Sequence, residues 1–118
     1  MKIAKEKTVD FLLISGDDML TLSIYTIGGA GVISVLANAY PVTFKKIKEY
    51  VHKGKLNRAR QEQFKLLEIN APMYEEGNPV GLKHLLKTMN IGNGHVRLPL
   101  VTASSPLQKK IETLAQKI

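Results

Sequence analysis

The sequence predicts an α/β fold in which helix dominates, and three observations carry that prediction. Phe11-Leu12-Leu13-Ile14-Ser15 is a short apolar run without polar alternation, as expected of a strand buried on both faces. Gly16-Asp17-Asp18 breaks the run and brings helix-capping side chains to a helix beginning near Met19. Gly28-Gly29-Ala30-Gly31 ends that helix, and Val32-Ile33-Ser34-Val35 is a second strand of the same kind. Two strands joined by one helix form a βαβ unit, with parallel strands and a right-handed crossover.

The remaining elements follow in order. Residues 1–9 read as a loop or the tail of a preceding helix. Pro41 suits a first helical turn, and the helix it opens runs to about Lys53, with Val42, Phe44, Ile47, Tyr50 and Val51 at helical spacing. Gly54 stops it, behind His52 and Lys53 where the helix dipole favours positive charge. A long helix from Lys55 to Met73 is expected to bury Leu56, Ala59, Phe64, Leu67 and Ala71, with Pro72 ending or kinking it. A third opens at Pro79 and carries Val80, Leu82, Leu85, Leu86 and Met89. Gly92-Asn93-Gly94 is a turn and Arg97–Val101 is expected to be extended. Ser104-Ser105-Pro106 then caps a final helix through Leu107, Ile111, Leu114 and Ala115.

Composition narrows the setting. At 118 residues and 44% apolar content, one ordered domain is the ordinary reading. The absence of cysteine excludes disulfides and thiolate zinc sites. The charged start, Met1-Lys2-Ile3-Ala4-Lys5, has no apolar signal core, and no apolar run reaches the ~18 residues of a membrane span. A cytoplasmic chain is expected, with no membrane partner. The net charge of +7 raises the question of nucleic acid. Its lysines, however, are spread over the solvent faces of helices, beside glutamates such as Glu49, Glu62 and Glu68. No nucleic-acid partner is expected.

The residues that bear chemistry are few. Asp17 and Asp18 are adjacent acids on a strand-to-helix turn; they could cap the helix, hold a cation or move a proton, and capping is preferred. The glycines at 28, 29 and 31 do not make a dinucleotide loop, because they precede a strand rather than a helix. His52, His84 and His95 have no partner at i, i+4, so no metal site is expected, and His84 and His95 read as solvent-facing. Lys83 reads as an ordinary charged residue of an amphipathic helix. Asn78 before Pro79 suits a helix N-cap, and Asn38 suits a residue that fixes the loop before Pro41.

The pattern Ser15-Gly16-Asp17-Asp18, followed by Gly28-Gly29-Ala30-Gly31-Val32-Ile33-Ser34-Val35 and Ala37-Asn38, resembles the dihydrodipicolinate synthase/N-acetylneuraminate lyase family. Glu75-Glu76-Gly77-Asn78-Pro79 and Arg97-Leu98-Pro99-Leu100 extend the resemblance over nearly the whole chain. It implies a partial TIM barrel: the last two β/α units within residues 1–54, then a three-helix C-terminal region over residues 55–118. A whole barrel needs on the order of 200–250 residues.

Members of the family hold pyruvate as a Schiff base on a lysine of the sixth strand, and they need no cofactor. The resemblance places that lysine upstream of Met1, so no catalytic residue is expected here. It implies that Gly16 borders the keto-acid pocket, that the Ile33 carbonyl lines it, and that Asp17 and Asp18 sit at its mouth. Asn78 approaches from the helical side. The expected function is that of a C-terminal fragment of a pyruvate-dependent class I aldolase or lyase, closest to dihydrodipicolinate synthase, inactive alone. Its partners would be the N-terminal part of the barrel or further copies of itself, since open strand edges invite pairing. The alternative is a non-catalytic oligomerisation or regulatory module derived from that family.

Overall fold

The computed structural model describes all 118 residues, and it is built mostly of helix. Helix α1 (Lys2–Glu6) leads to strand β1 (Ile14–Ser15), a 3₁₀ turn at Asp18–Leu20 and helix α2 (Thr21–Thr26). Strand β2 (Gly31–Val32) follows, then a 3₁₀ turn at Leu36–Asn38 and helix α3 (Pro41–His52). The second half holds α4 (Leu56–Phe64), α5 (Leu67–Asn70), a 3₁₀ turn at Ala71–Met73, α6 (Val80–Thr88) and α7 (Ser105–Ala115). The strands pair in parallel, Ile14 with Gly31 and Ser15 with Val32, as the βαβ reading requires.

Both strands are shorter and more open than expected. Phe11 and Leu12 lie outside β1, and with Ile14 they are exposed, so the expectation of a strand buried on both faces is corrected. The reason is neighbours: each strand has a single partner, and nothing covers the remaining edge and face.

Helix ends were easier to foresee because their chemistry is local. Pro41 occupies the first turn of α3, where its missing N–H costs nothing. At the other end Gly54 takes φ +67°, and the Lys55 and Gly54 amides donate back to the Tyr50 and Val51 carbonyls at 2.8 and 2.9 Å. That double closure needs a left-handed residue, which glycine supplies without a Cβ penalty. Helices α2 and α6 close the same way, through the Gly29 amide to Ile24 and the Ile91 amide to Leu86.

The expected long helix from Lys55 to Met73 is broken at Lys65–Leu66 and runs on as α5 and a 3₁₀ turn containing Pro72. Its buried face is Ala59, Gln63, Leu66, Ile69 and Met73, while Leu56, Phe64, Leu67 and Ala71 are exposed. Val42 of α3 is likewise 62% exposed rather than buried. Arg97–Leu100 is a turn closed by the Leu100 amide on the Arg97 carbonyl, with a cis Leu98–Pro99 bond, and not an extended segment.

One apolar cluster serves both halves. Leu36, Phe44 and Ile47 pack into the same core as Leu66, Ile69, Met73, Leu85 and Ile111. Fully burying such a side chain contributes roughly 1.5–3 kcal/mol. Only 20 of 118 residues are buried, so each of these side chains carries a large share of the core. Gly81 lets α6 lie directly on the Pro72–Met73 backbone, where any side chain would collide.

His84, expected at the surface, is 7% exposed and donates through Nε2 to Glu112 at 3.1 Å, pinning α6 to α7. Burial follows from its place four residues after Val80 and three after Gly81, on one buried face of α6, which packs against α7.

Ser104 caps α7 as predicted: its hydroxyl accepts from the Leu107 amide and donates to Glu76 Oε1, while its own amide donates to Glu76 Oε2 at 2.9 Å. The hydroxyl bond, then the amide bond, holds the Glu76 carboxyl below the usual carboxylate range. A lowered acid stabilises the fold above its unfolded value and loses that contribution as pH falls through the lowered one. Acid unfolding followed by circular dichroism should therefore begin at higher pH than it does in Glu76→Gln relative to each protein's neutral baseline. That difference should shrink in the Ser104→Ala background, which removes the hydroxyl bond and keeps the amide bond.

Candidate functional site

The C-terminal ends of β1 and β2 lie side by side, and the predicted site residues gather there. Beyond the paired residues the ladder gains one more bond, from the Ile33 amide to the Ser15 carbonyl at 2.8 Å. Gly16 follows Ser15 on an exposed turn, with open space where a Cβ would project. Ile33 is 76% exposed at the matching position just past β2. Gly16 and Ile33 therefore flank one another at a rim that no other part of the chain covers.

The two aspartates divide the work. Asp17 is the N-cap: its Oδ1 accepts from the Met19 amide at 2.8 Å, and its own amide donates to Ser15 Oγ at 3.1 Å. Asp18 does not cap its own helix, which corrects the preferred reading for that residue. It is 1% exposed, and its Oδ2 accepts from the Leu36 amide at 2.8 Å, so a carboxylate from the first strand's loop holds the turn after the second. A buried carboxylate needs such a donor, because leaving water without one is costly.

Gln63 is the residue that sequence reasoning missed. It sits on α4, is buried, donates Nε2 to the Asp18 carbonyl at 3.2 Å and accepts the Leu22 amide at 3.2 Å. The Leu22 N–H is one of the unpaired donors of α2's first turn, so this carboxamide serves as its cap from 41 residues away. A glutamine among charged neighbours on an amphipathic helix gives no local signal of that role. Tyr74, also unforeseen, stands near the same acids. Burial, then the charge of Asp18 and that of Asp17, pushes its phenol above the ordinary value.

The turn after β2 is closed as expected of Asn38. Its Nδ2 donates to the Val35 carbonyl at 3.0 Å and to the Ser34 carbonyl at 3.3 Å, while Ser34 Oγ accepts from the Ala37 amide. Asn78 is exposed and does not cap α6, which begins one residue later than expected with Pro79 in the cap position and no side-chain cap. The intervening Asn78–Pro79 bond is cis. Lys83 donates to the His95 carbonyl at 2.6 Å and is an ordinary surface anchor. No group of three or more His, Cys, Asp or Glu residues is placed to hold a metal ion. No helix is long and apolar enough to cross a membrane.

The sequence and the backbone both resemble those of known proteins. The chain is 44% identical over its whole length to the 4-hydroxy-tetrahydrodipicolinate synthase of Cytophaga hutchinsonii, of which it covers 40%. It is 38% identical, over 92% of its residues and 38% of the relative, to the enzyme of that name from Archaeoglobus fulgidus. The backbone superposes on the crystal structure of dihydrodipicolinate synthase from Aquifex aeolicus with a TM-score of 0.90 and 30% identity, covering 98% of this chain and 40% of that one. For the Thermotoga maritima synthase the TM-score is 0.85 at 29% identity, over 92% of this chain and 38% of that one. The chain thus spans about two fifths of the length of these relatives. Every residue from 1 to 118 falls within one family match, and the chain belongs to the Dihydrodipicolinate synthetase family.

Proposed function

We propose that residues 1–118 are the C-terminal share of a pyruvate-dependent class I aldolase or lyase of the dihydrodipicolinate synthase type. They would form the last two β/α units of a TIM barrel and its helical appendage. The observation that carries this reading is the parallel β1–β2 pair with Gly16 and Ile33 exposed side by side at its C-terminal end. Barrel enzymes place their ligands at that end. Gly16 then gives a keto acid room to approach the backbone, and the Ile33 carbonyl presents an acceptor to it. Asp17 and Asn78, both exposed, complete the wall at the mouth, with Asp18 buried behind it.

The reaction we propose for the whole barrel is condensation of pyruvate with aspartate semialdehyde, in the cytoplasm; similarity to relatives named 4-hydroxy-tetrahydrodipicolinate synthase supports this reading. Its Schiff-base lysine belongs to a part of the barrel that these residues do not form. Alone, they supply a wall of the pocket without the nucleophile and are inactive. The open edges of β1 and β2 and the exposed Phe11, Leu12 and Ile14 are where the remaining strands pair. Those same open surfaces also favour a second reading, a non-catalytic oligomerisation or regulatory module.

Co-expression separates the two readings. Residues 1–118 are produced with the N-terminal three fifths of the Cytophaga hutchinsonii synthase, and condensation is assayed in the co-purified complex. Activity in the complex, and in neither part alone, is the expected result. A stable complex without activity, beside an active intact Cytophaga enzyme, would favour the second reading.

A further inference from the structure

The buried Asp18 carboxylate makes a single polar contact, and that contact lies across the site. Its Oδ2 holds the Leu36 amide, while Oδ1 is equally enclosed and has no partner. The Asp18 main chain is itself fixed, because its carbonyl accepts from Thr21 Oγ1 at 2.8 Å and from Gln63 Nε2 at 3.2 Å. A rigid acid is thus clamped from α4 and aimed at the turn after β2.

That turn runs between two anchors, one supplied by β1 and one by the loop that follows it. The Ile33 amide is held by the Ser15 carbonyl, and the Leu36 amide by Asp18. The Ile33 carbonyl lies between them. The first anchor fixes the end of the ladder and the second fixes the amide three residues on, so together they set the direction of the peptide after Ile33 relative to Gly16. A hydrogen bond to an ionised acceptor is roughly twice as strong as a neutral one. The charge therefore stiffens the clamp more than an amide at this position would.

We propose that Asp18 is a positioning residue: through the Leu36 amide it sets the direction of the Ile33 carbonyl against Gly16. The inference rests on the reading of Gly16 and Ile33 as pocket groups. It assigns to Asp18 work from beneath the pocket wall, with Gln63 as the residue that holds Asp18 in turn.

The first arm of the test uses the 118-residue chain alone, labelled for NMR, as wild type, Asp18→Asn and Asp18→Ala. The Asn variant keeps the size and one acceptor oxygen, so it remains informative if the Ala variant does not fold. In Asp18→Asn the Leu36 amide should exchange with solvent about tenfold faster, as expected when a charge-assisted bond becomes a neutral one. The carbonyl-carbon shift of Ile33 should move with it, while the amides of α7 stay unchanged. Faster exchange at Leu36 with an unmoved Ile33 carbonyl would reduce Asp18 to a fold-stabilising residue and overturn the proposal. No change at Leu36 would overturn the contact itself.

The second arm repeats the variants in the co-expressed complex. A fall in kcat of about tenfold, with KM for pyruvate within about threefold, is the result expected when one group of a reacting constellation is misaligned. Unchanged kcat in a folded Asp18→Asn complex would overturn the positioning role. An inactive wild-type complex would instead count against the functional reading, and would leave the NMR result to decide the clamp.

Discussion

Gly81→Ala should lower the unfolding midpoint by roughly 8–12 °C, although the new residue is the better helix former. A Cβ on Gly81 would stand 2.4 Å from the Pro72 carbonyl oxygen and 2.8 Å from the Met73 Cα. Both are backbone atoms, so no rotamer change relieves the collision, and α6 must lift from the Ala71–Met73 turn. Overpacking of this kind costs about 1–3 kcal/mol, and more where backbone must move. Alanine regains at most about 1 kcal/mol through helix propensity, and less in a first turn. A net loss of about 2–3 kcal/mol, at about 4 °C for each in a domain this size, gives the expected shift. Gly16→Ala makes the same chemical change where no atom lies within 4 Å. It should stay within about 0.5 kcal/mol of wild type, as surface changes usually do. Thermal unfolding of the pair, followed by circular dichroism, checks both values.

Ile111→Ala should cost about 2–5 kcal/mol, the range measured when a large core aliphatic side chain is cut to its Cβ. Ile111 is 0% exposed and is a main apolar tie between α7 and the cluster containing Ile69, Met73 and Leu85. Small domains have about 5–15 kcal/mol in all, so the loss consumes a large part of the stability. The His84–Glu112 contact cannot compensate, since it depends on the same docking of α7 against α6. Urea denaturation gives the difference directly, and amide exchange should show α7 losing protection first. Val42→Ala, at a position that periodicity alone would bury, should change stability by no more than about 0.5 kcal/mol.

The contrast between Ile111 and Val42 shows what is legible in such a sequence. Pro41, Gly54 and Ser104 mark helix ends because capping and left-handed closure act within a few residues, and the structure bears out all three. The βαβ unit is legible because its apolar runs, acidic turn and glycines are contiguous, and the parallel direction of the strands follows from the crossover. Which face of α4 and α5 is buried is not legible in the same way. The true stripe, Ala59, Gln63, Leu66, Ile69 and Met73, includes a polar residue, so counting apolar side chains rotates the helix toward Phe64 and Leu67.

The candidate site divides along the same line. Asp17 capping Met19 is local and was foreseen; Asp18 reaching Leu36 and Gln63 reaching Asp18 are partnerships across 18 and 45 residues, with no periodic signature. His84 belongs with these, for its burial is decided by α7 and Glu112, 28 residues away. Strand burial failed for the converse reason. Apolar character is a property of the sequence, but cover is a property of neighbours, and β1 has only one.

On the proposed reading these 118 residues supply a wall of a keto-acid pocket and not its nucleophile. Incubation of the purified chain with pyruvate and borohydride, followed by intact mass, tests it most directly, because reduction makes any Schiff base permanent. The mass should stay at 13.1 kDa. A pyruvate adduct on any lysine of this chain, Lys83 included, would contradict it.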